Sequence, residues 1–295
     1  MKKILITGAN SYIGVSFENY IKEHYSEQLI TDVVDMIDGS WREKDFSGYD
    51  IVYHVAGLAH ADVGKVSKEL KAKYYQINRD LAVETCKKAK ESGVKQFVFM
   101  SSAIVYGDSA GFGKRKRIKK ETKPHPANVY GDSKWQADKK VRKMADANFT
   151  VTVLRPPMIY GKGSKGNYPS LSKMAGKLPF FPDVRNERSM LYIENLCEFL
   201  AQVMIRGYGG VFWPQNAEYS CTSEIVKMIA DVKGHKIIVS SGFNWMVRLA
   251  AVIPGKIKGL TNKAFGNMSY DRSMSRYDFK YQLVSLKESI ERTES

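Results

Sequence analysis

Cysteine and histidine are scarce in this sequence. The 295 residues include three cysteines, Cys86, Cys197 and Cys221, which are odd in number and widely spaced. Such a set provides neither a disulfide framework nor a zinc cluster. The five histidines show no spacing that is typical of a metal site. We therefore expect a reduced protein that holds no metal ion.

Long apolar runs are also missing. A membrane-spanning helix needs about 20 consecutive, mostly apolar residues, and no window of this sequence approaches that length. The first apolar run, Ile4–Ile6, is too short to be the core of a signal peptide. The sequence therefore predicts a soluble, cytoplasmic protein.

Acidic residues are outnumbered by basic ones. The chain has 46 Lys and Arg against 31 Asp and Glu, a formal net charge of +15. A positive field concentrates anions such as nucleic acids, anionic lipids or phosphorylated small molecules. Much of the excess lies in the run 114–120, which has no interleaved aromatic residues and no helix-turn-helix or RNA-binding signature nearby. Nucleic acid is therefore disfavoured, and the run is either a solvated loop or a surface that attracts an anionic substrate.

Short apolar runs alternate with helical patterns along the first half of the chain. The runs, which are typical of buried strands, lie at 3–7, 29–36, 50–55, 96–101 and 151–154, and amphipathic stretches lie at 12–25 and 66–92. This pattern predicts an α/β fold with a doubly wound parallel sheet, which binds ligands at the carboxyl ends of its strands. From about Gly161 the chain becomes rich in Gly, Pro, Lys and Asn. We expect a dinucleotide-binding domain over residues 1–165 and a smaller C-terminal α/β substrate lobe over 166–295, with the chain free to cross between them more than once.

A glycine-bearing turn, Thr7–Gly14, joins the first strand to the first helix. Gly8 permits a tight turn, and Gly14 lets the helix pack close to the sheet. The start of the helix then directs unpaired N–H groups at a pyrophosphate. Asp35 follows about twenty residues later, where a carboxylate binds a ribose 2′-hydroxyl and repels a 2′-phosphate, so NAD is favoured over NADP. Asp32 and Asp38 are competing candidates for this acid, and Arg42 lies close enough to keep NADP open.

A tyrosine and a lysine form the candidate catalytic pair. Tyr130 and Lys134 are spaced to lie on one face of a helix. An isolated phenol titrates at about pH 10 and is a poor base at neutrality, but a fixed ammonium nearby favours the phenolate. The tyrosine then becomes usable as an acid or a base. Ser102, which follows the predicted strand at 96–101, is placed to hydrogen-bond a substrate oxygen.

Together these motifs resemble the extended short-chain dehydrogenase/reductase family, in its branch of NAD-dependent nucleotide-sugar epimerases and dehydratases. The resemblance runs through residues 3–200. It implies a Rossmann fold and a triad of Ser102, Tyr130 and Lys134, in which Tyr130 is the acid/base and Lys134 orients the nicotinamide ribose and lowers the tyrosine pKa. The residues that it implies for the NAD site are Gly8, Asn10, Ser11, Tyr12, Ile13, Gly14, Asp35, Asp45, Phe46, Val55, Ala56, Gly57, Asn78, Tyr130, Lys134 and Pro157.

The same resemblance implies a substrate site and a partner. Ser102 positions the sugar oxygen, Asn167 reaches the substrate diphosphate, and Arg188 grips a nucleotide phosphate. A homodimer through two helices, one of them the Tyr130 helix, is also implied. The sequence departs from the family at Ser11, where a side chain replaces a glycine and would crowd the pyrophosphate, and at Glu194, which stands in place of Asp.

Three hypotheses about function follow. The first is an NAD-dependent epimerase that acts at C4 of a UDP-type nucleotide sugar by transient hydride transfer. The second is an NAD(P)H-dependent reductase of a 4-keto-6-deoxy nucleotide sugar in cell-surface polysaccharide synthesis. The third is a non-catalytic dinucleotide sensor, which is disfavoured because Tyr130 and Lys134 are both present. The triad alone does not separate the first two.

One apolar segment has two interpretations. Residues 244–254 are mostly apolar and are followed by Lys256 and Lys258. We favour a core helix of the second lobe, and the alternative is a weak peripheral contact with a membrane.

Overall fold

The computed structural model describes residues 1–58 and 66–295. Its first half contains, in chain order, β1 (Lys2–Thr7), α1 (Tyr12–His24), β2 (Leu29–Val34), β3 (Ile51–His54), α2 (Lys68–Tyr75), α3 (Leu81–Glu91), β4 (Gln96–Met100), β5 (Arg117–Ile118), α4 (Val129–Arg142) and β6 (Thr150–Leu154). Its second half contains β7 (Met158–Tyr160), α5 (Asn167–Ala175), β8 (Phe180–Pro182), β9 (Met190–Tyr192), α6 (Ile193–Arg206), β10 (Gly210–Phe212), α7 (Thr222–Val232), β11 (Ile238–Ser240), α8 (Asn244–Val252), α9 (Lys256–Phe265), β12 (Ser269–Tyr270) and α10 (Leu286–Glu294). A π turn, Gln76–Asp80, lies between α2 and α3, and a 3₁₀ turn, Ala103–Tyr106, follows β4.

Six parallel strands form the central sheet, in the order β10-β6-β4-β3-β1-β2. The prediction of a doubly wound α/β fold is confirmed. From β1 the chain moves outward to β2 and then returns to place β3 on the other side of β1, so the strand order reverses between β1 and β3. In such sheets the ligand crevice lies at the carboxyl ends of the strands where the order reverses. Thr7 and His54, the last residues of β1 and β3, lie side by side at that point.

Side chains that alternate along β1 divide the core between the two faces of the sheet. Ile4 and Ile6 belong to a cluster with Phe17 of α1 and Phe199 of α6. Leu5 belongs to a second cluster, on the side of α3 and α4. Successive residues of a strand point to opposite faces, and helices cover both faces here. Burial on both faces explains why the strands read as continuous apolar runs in the sequence.

The sheet includes residues from beyond position 165. β10 pairs with β6, with Val211 beside Val153, and α6 packs against α1. In the opposite direction, β12 of the second half pairs with β5 of the first half, with Ser269 beside Arg117. A single cut at residue 165 therefore does not divide the molecule into independent structural units.

The segment predicted as a core helix is mostly exposed. α8 fully buries only Val247, whereas Trp245, Leu249 and Val252 are exposed. The interpretation as a core helix is wrong, because a helix with apolar residues on most sides gives no polar face from which its orientation could be read. Within the part of the chain that the structure describes, no helix is both long enough and apolar enough to cross a bilayer.

Candidate active site

The turn after β1 passes close to the backbone that follows β3. Gly8 has a φ of +109°, and a Cβ there would lie 2.9 Å from the Cα of Ala56. Both facts require glycine. Ser11 ends the turn, and its Oγ accepts a hydrogen bond from the Gly14 N–H at 3.2 Å. The Ser11 side chain therefore caps α1, which accounts for a serine where the related family has glycine.

The start of α1 suits an anionic group. The first turn of the helix contains no Asp or Glu, and its N-terminus lies beside the crevice at the ends of β1 and β3. Asn10 is exposed with a φ of +60°. The Tyr12 hydroxyl is buried and has no hydrogen-bond partner among the described residues. Ile13 is partly buried. The partial positive charge at this helix N-terminus fits the pyrophosphate of a dinucleotide.

Asp35 directly follows β2, beside the phosphate turn, because the Gly8 N–H donates to the Val34 carbonyl at 3.0 Å. Its carboxylate is exposed and, among residues 1–58 and 66–295, accepts only the N–H of Ile37, at 2.8 Å. The competing groups have other partners: Asp32 binds Lys44 and Tyr49, Asp38 binds Ser40, and Arg42 forms a two-pronged ion pair with Glu84. Asp35 is therefore the charged group at the crevice that no other side chain binds among the described residues. A free carboxylate at this place favours a ribose 2′-hydroxyl.

The adenine-side pair is divided between surface and core. Asp45 is exposed, and its carboxylate accepts the N–H and the hydroxyl of Ser47, both at 2.8 Å. Phe46 is fully buried, with its ring 6.5 Å from that of Trp41. Phe46 therefore exposes no surface to a ligand, and a contact with adenine remains a prediction for Asp45 alone.

The loop after β3 is fixed to α4 by one asparagine. Asn78, in the π turn, is fully buried; its side chain accepts the Leu58 N–H at 2.7 Å and donates to the Leu58 carbonyl at 3.0 Å. It also donates to the Ser133 hydroxyl at 3.1 Å. A π turn, which holds one extra residue within a helix, often lies at a functional site. The loop Val55–Gly57 is thereby held against the helix that carries the candidate catalytic pair.

Gly57 leaves room for a lysine. A Cβ at this position would lie 2.9 Å from Nζ of Lys134 and 3.1 Å from Oδ1 of Asn78. Lys134 is 5% exposed, and its Nζ donates to the Met100 carbonyl at 2.9 Å. Burial lowers the pKa of Lys134 to about 8. A buried ammonium with this opening at Gly57 can reach a hydroxyl-rich ligand in the crevice.

Tyr130 lies in the first turn of α4, whose N-cap is Asn128. Burial raises the pKa of the Tyr130 phenol, and a hydrogen bond with the Ser102 hydroxyl partly offsets this by lowering it. The Tyr74 ring lies 6.1 Å away. The Lys134 ammonium donates to the Met100 carbonyl, and its lowering of the Tyr130 pKa stays a prediction. Ser102, Tyr130 and Lys134 thus meet at the end of β4, with the phenol protonated at neutral pH.

A buried ionic network, which the sequence did not indicate, supports the triad. Asp138 of α4 accepts hydrogen bonds from Arg155 at 2.8 and 3.0 Å and from Ser101 at 3.2 Å. Arg155 also donates to the Tyr106 hydroxyl at 2.7 Å. The network ties the ends of β4 and β6 to α4, so it fixes Ser102 relative to the helix. The available signal was the position of Asp138 four residues after Lys134, on the same helix face.

A cleft with a cavity volume of about 50 Å³ is lined in part by Ala103, the residue that follows Ser102 of the triad. Pro157, Arg188 and Tyr270 are among its lining residues. Arg188 donates to the carbonyl groups of Lys263 and Gly266, and burial lowers its pKa. Among the described residues it has no carboxylate partner. Asn167, the first residue of α5, is exposed and lies outside the lining of this cleft.

The basic run 114–120 is partly built into the fold. The Lys116 ammonium donates to the carbonyl groups of Tyr106 and Asp108, both at 2.7 Å, and burial lowers its pKa. Arg117 forms an ion pair with Glu187 at 2.8 Å. The other four basic residues of the run are exposed. The run therefore combines an anchored centre with a positively charged surface.

Comparison of the sequence with known proteins identifies its family. The sequence profile of the NAD dependent epimerase/dehydratase family matches residues 4–211. The UDP-glucose 4-epimerase of Vibrio cholerae is 29% identical over 249 residues, 78% of this chain and 75% of that protein. The Escherichia coli O157:H7 protein named N-acetyl-alpha-D-glucosaminyl-diphospho-ditrans,octacis-undecaprenol 4-epimerase is 29% identical over 215 residues, 67% of this chain and 61% of that protein.

A solved structure extends the similarity in fold to the whole chain. The dTDP-4-dehydrorhamnose reductase of Bacillus anthracis, solved in complex with NADP, superimposes with a TM-score of 0.71 at 18% identity, and the match covers 99% of this chain and 98% of that one. The family profile covers more than half of the sequence. This chain belongs to the NAD-dependent epimerase/dehydratase family.

Proposed function

We propose that the protein is an NAD-dependent epimerase that inverts C4 of a hexose carried as a UDP-type diphosphate ester. The observation that carries the proposal is the meeting of Ser102, Tyr130 and Lys134 at the end of β4, beside the crevice. Epimerisation is preferred to reduction because both curated relatives described above are named as 4-epimerases. Likeness to the reductase concerns the fold alone.

The chain has the groups to hold NAD. The start of α1 receives the pyrophosphate, Asp35 binds the adenine ribose and disfavours the 2′-phosphate of NADP, and Lys134 reaches the nicotinamide ribose past Gly57. When bound, NAD supplies a hydride acceptor that takes the C4 hydrogen and returns it to the opposite face, and its positive ring favours a phenolate nearby.

Tyr130 moves the proton of the sugar. As the phenolate that bound NAD would favour, its oxygen accepts the proton of the 4-hydroxyl, and the phenol so formed gives the proton back to the 4-oxygen, while the Ser102 hydroxyl hydrogen-bonds to both oxygens in turn. Arg188, which has no carboxylate to neutralise it, binds the diphosphate in the cleft. An epimerase must hold the diphosphate in place while the keto-sugar attached to it turns over in the site. A homodimer through α4 remains a prediction.

The test is turnover by the purified protein. We expect interconversion of UDP-glucose and UDP-galactose, or of their N-acetyl forms, with no net change in absorbance from NADH. Tyr130→Phe should lower kcat by about 10²–10⁴-fold and leave dinucleotide binding unchanged, because only the proton carrier is removed. Tyr208→Phe is the matched control, since the Tyr208 hydroxyl contacts Asp278 far along the chain from the triad. Full turnover by Tyr130→Phe would contradict the mechanism.

Two further substrates decide between neighbouring reactions. Consumption of NADH or NADPH by a 4-keto-6-deoxy nucleotide sugar, with no epimerisation, would replace the proposal by the reductase hypothesis. The name of the Escherichia coli relative specifies a sugar on undecaprenyl diphosphate. Since a diphosphate ester is common to both carriers, N-acetylglucosaminyl-diphospho-undecaprenol should be assayed beside UDP-N-acetylglucosamine.

A further inference from the structure

An apolar surface is left uncovered on the helix pair α8 and α9, which pack against each other. Trp245, Leu249 and Val252 are 63%, 55% and 71% exposed, and their spacing places them on one face of α8. On α9, Ile257 and Leu260 are 46% and 64% exposed. We call these five residues the α8–α9 face. Monomeric proteins rarely expose neighbouring large apolar side chains in this way unless the surface binds something.

The segment that carries the α8–α9 face has one sign of charge. From residue 232 to residue 270 the sequence contains no Asp or Glu and six Lys or Arg residues. Lys233 is ion-paired with Glu294 at 2.9 Å, and the other five are Lys236, Arg248, Lys256, Lys258 and Lys263. A helix with an apolar face and basic flanks is typical of segments that lie in the interface of a membrane. The basic run 114–120 adjoins this region, since β5 pairs with β12 and Asn267 donates to the Lys114 carbonyl at 2.8 Å.

We propose that the α8–α9 face docks onto an anionic phospholipid bilayer. The apolar side chains enter the boundary between headgroups and acyl chains, and the basic residues around them pair with lipid phosphates. A second copy of this chain is the less favourable occupant. In a two-fold contact the same surface meets itself, so the five basic residues of the segment other than Lys233 would be brought together in both copies with no acidic residue of the segment to neutralise them.

Docking on this side would turn the cleft toward the lipid. Arg188, which lines the cleft, donates to the carbonyl groups of Lys263 and Gly266 at the end of α9. Met268 and Ser269, which follow α9, line the same cleft. The bilayer would therefore lie beside the mouth of the cleft. Binding to lipid does not depend on which reaction the site performs, so a failure of one proposal leaves the other testable.

The experiment is flotation of the full-length protein with vesicles. We expect binding to vesicles of equal parts phosphatidylcholine and phosphatidylglycerol, weakened by salt, and no binding to phosphatidylcholine alone. Leu249→Asp together with Leu260→Asp should weaken binding by at least about tenfold, because charged side chains oppose entry into the interface. Leu283→Asp is the matched control: Leu283 is 50% exposed, lies outside the α8–α9 face and should not affect binding. Turnover of a soluble nucleotide sugar should be equal in all three proteins, which verifies folding.

A second measurement needs no disruptive variant. The Trp245 fluorescence should shift to shorter wavelength with the anionic vesicles and be quenched by brominated lipid, and Trp245→Phe should remove both effects. Absence of binding to the anionic vesicles would overturn the proposal, as would equal binding by the doubly substituted protein. A dimer in solution that the two Asp substitutions dissociate, without vesicle binding by the parent protein, would assign the surface to a second copy.

Discussion

Lys134 is expected to destabilise the fold that it serves. Its ammonium is buried, and the structure places no carboxylate against it among the described residues; its pKa falls from 10.5 to about 8 as a result. The difference corresponds to roughly 3 kcal/mol of unfavourable free energy for the charged form in the folded protein. Lys134→Met removes this cost but also removes the hydrogen bond to the Met100 carbonyl, worth about 1.5 kcal/mol. At pH 7 we expect the variant to be more stable by about 1–2 kcal/mol.

The sign of this difference should depend on pH. Because the folded pKa of Lys134 lies below the unfolded one, the unfolded chain binds more protons between about pH 8 and 10.5, so the stability of the parent protein rises with pH in that window. Below pH 8 the full cost is present, and above 10.5 it is gone. The hydrogen bond of the neutral amine then makes the parent protein the more stable one, by about 1–2 kcal/mol. The Lys134 charge also lowers the pKa of buried His54, but burial is the larger cause and that pKa is about 3, so His54 is neutral in the folded parent protein at pH 7 and at pH 10.5.

Urea unfolding of the dinucleotide-free protein, followed by tryptophan fluorescence at pH 7 and pH 10.5, measures both differences. Dinucleotide must be removed first, since a ligand of the folded state adds stability of its own. Lys140→Met, at an exposed position on the same helix, is the control and should change stability by less than about 0.5 kcal/mol. A Lys134→Met protein that is less stable at pH 7, or a difference that does not vary with pH, would refute the reasoning. Loss of turnover in the stabilised variant would complete the case for a functional lysine.

Three further substitutions test individual contacts. Gly57→Ala should lower kcat at least tenfold, because the added methyl group would push the Lys134 ammonium aside. Gly48→Ala, whose methyl group would have no atom within 4 Å, is the control and should not lower kcat. Equal kcat values would mean that the Lys134 side chain moves without loss of activity. Ser11→Ala should lower the urea-unfolding free energy by about 1 kcal/mol through loss of the helix cap, and no loss would deny the capping role. Arg188→Met should raise KM for the nucleotide sugar about 10–100-fold with little change in kcat, and the reverse split would place Arg188 at the reacting atoms.

The fold could be predicted largely because the buried strands carry a strong local signal. The apolar run at 50–55 becomes β3, Ile51–His54, and the run at 96–101 becomes β4, Gln96–Met100. The single helix expected over 66–92 is instead α2, a π turn and α3. Both segments that flank the π turn are helical, so a pattern that indicates a helix throughout could not reveal the bulge that places Asn78.

The site was predictable where its chemistry is local in sequence. Tyr130 and Lys134 are one helical turn apart, and Asp35 follows its strand directly. Contacts between distant segments had no such signal: the pairing of Asp138 with Arg155 joins a helix to a strand end, and the partners of Arg188 lie some 75 residues further along the chain. The influence of the Lys134 ammonium on the Tyr130 pKa stays a prediction, because spacing along a helix does not fix the distance between an ammonium and a phenol oxygen.

The interleaving of the chain limits how the protein can be recombined with its relatives. A chimaera joined at residue 165 would import β10 into a foreign sheet and separate β5 from its partner β12. The hairpin of α8 and α9 is different, since it adds no strand to the central sheet and α8 buries only Val247. Its exposed face can therefore change without disturbing the sheet or the triad, whereas the end of α9, whose carbonyl groups accept hydrogen bonds from Arg188, is tied to the cleft.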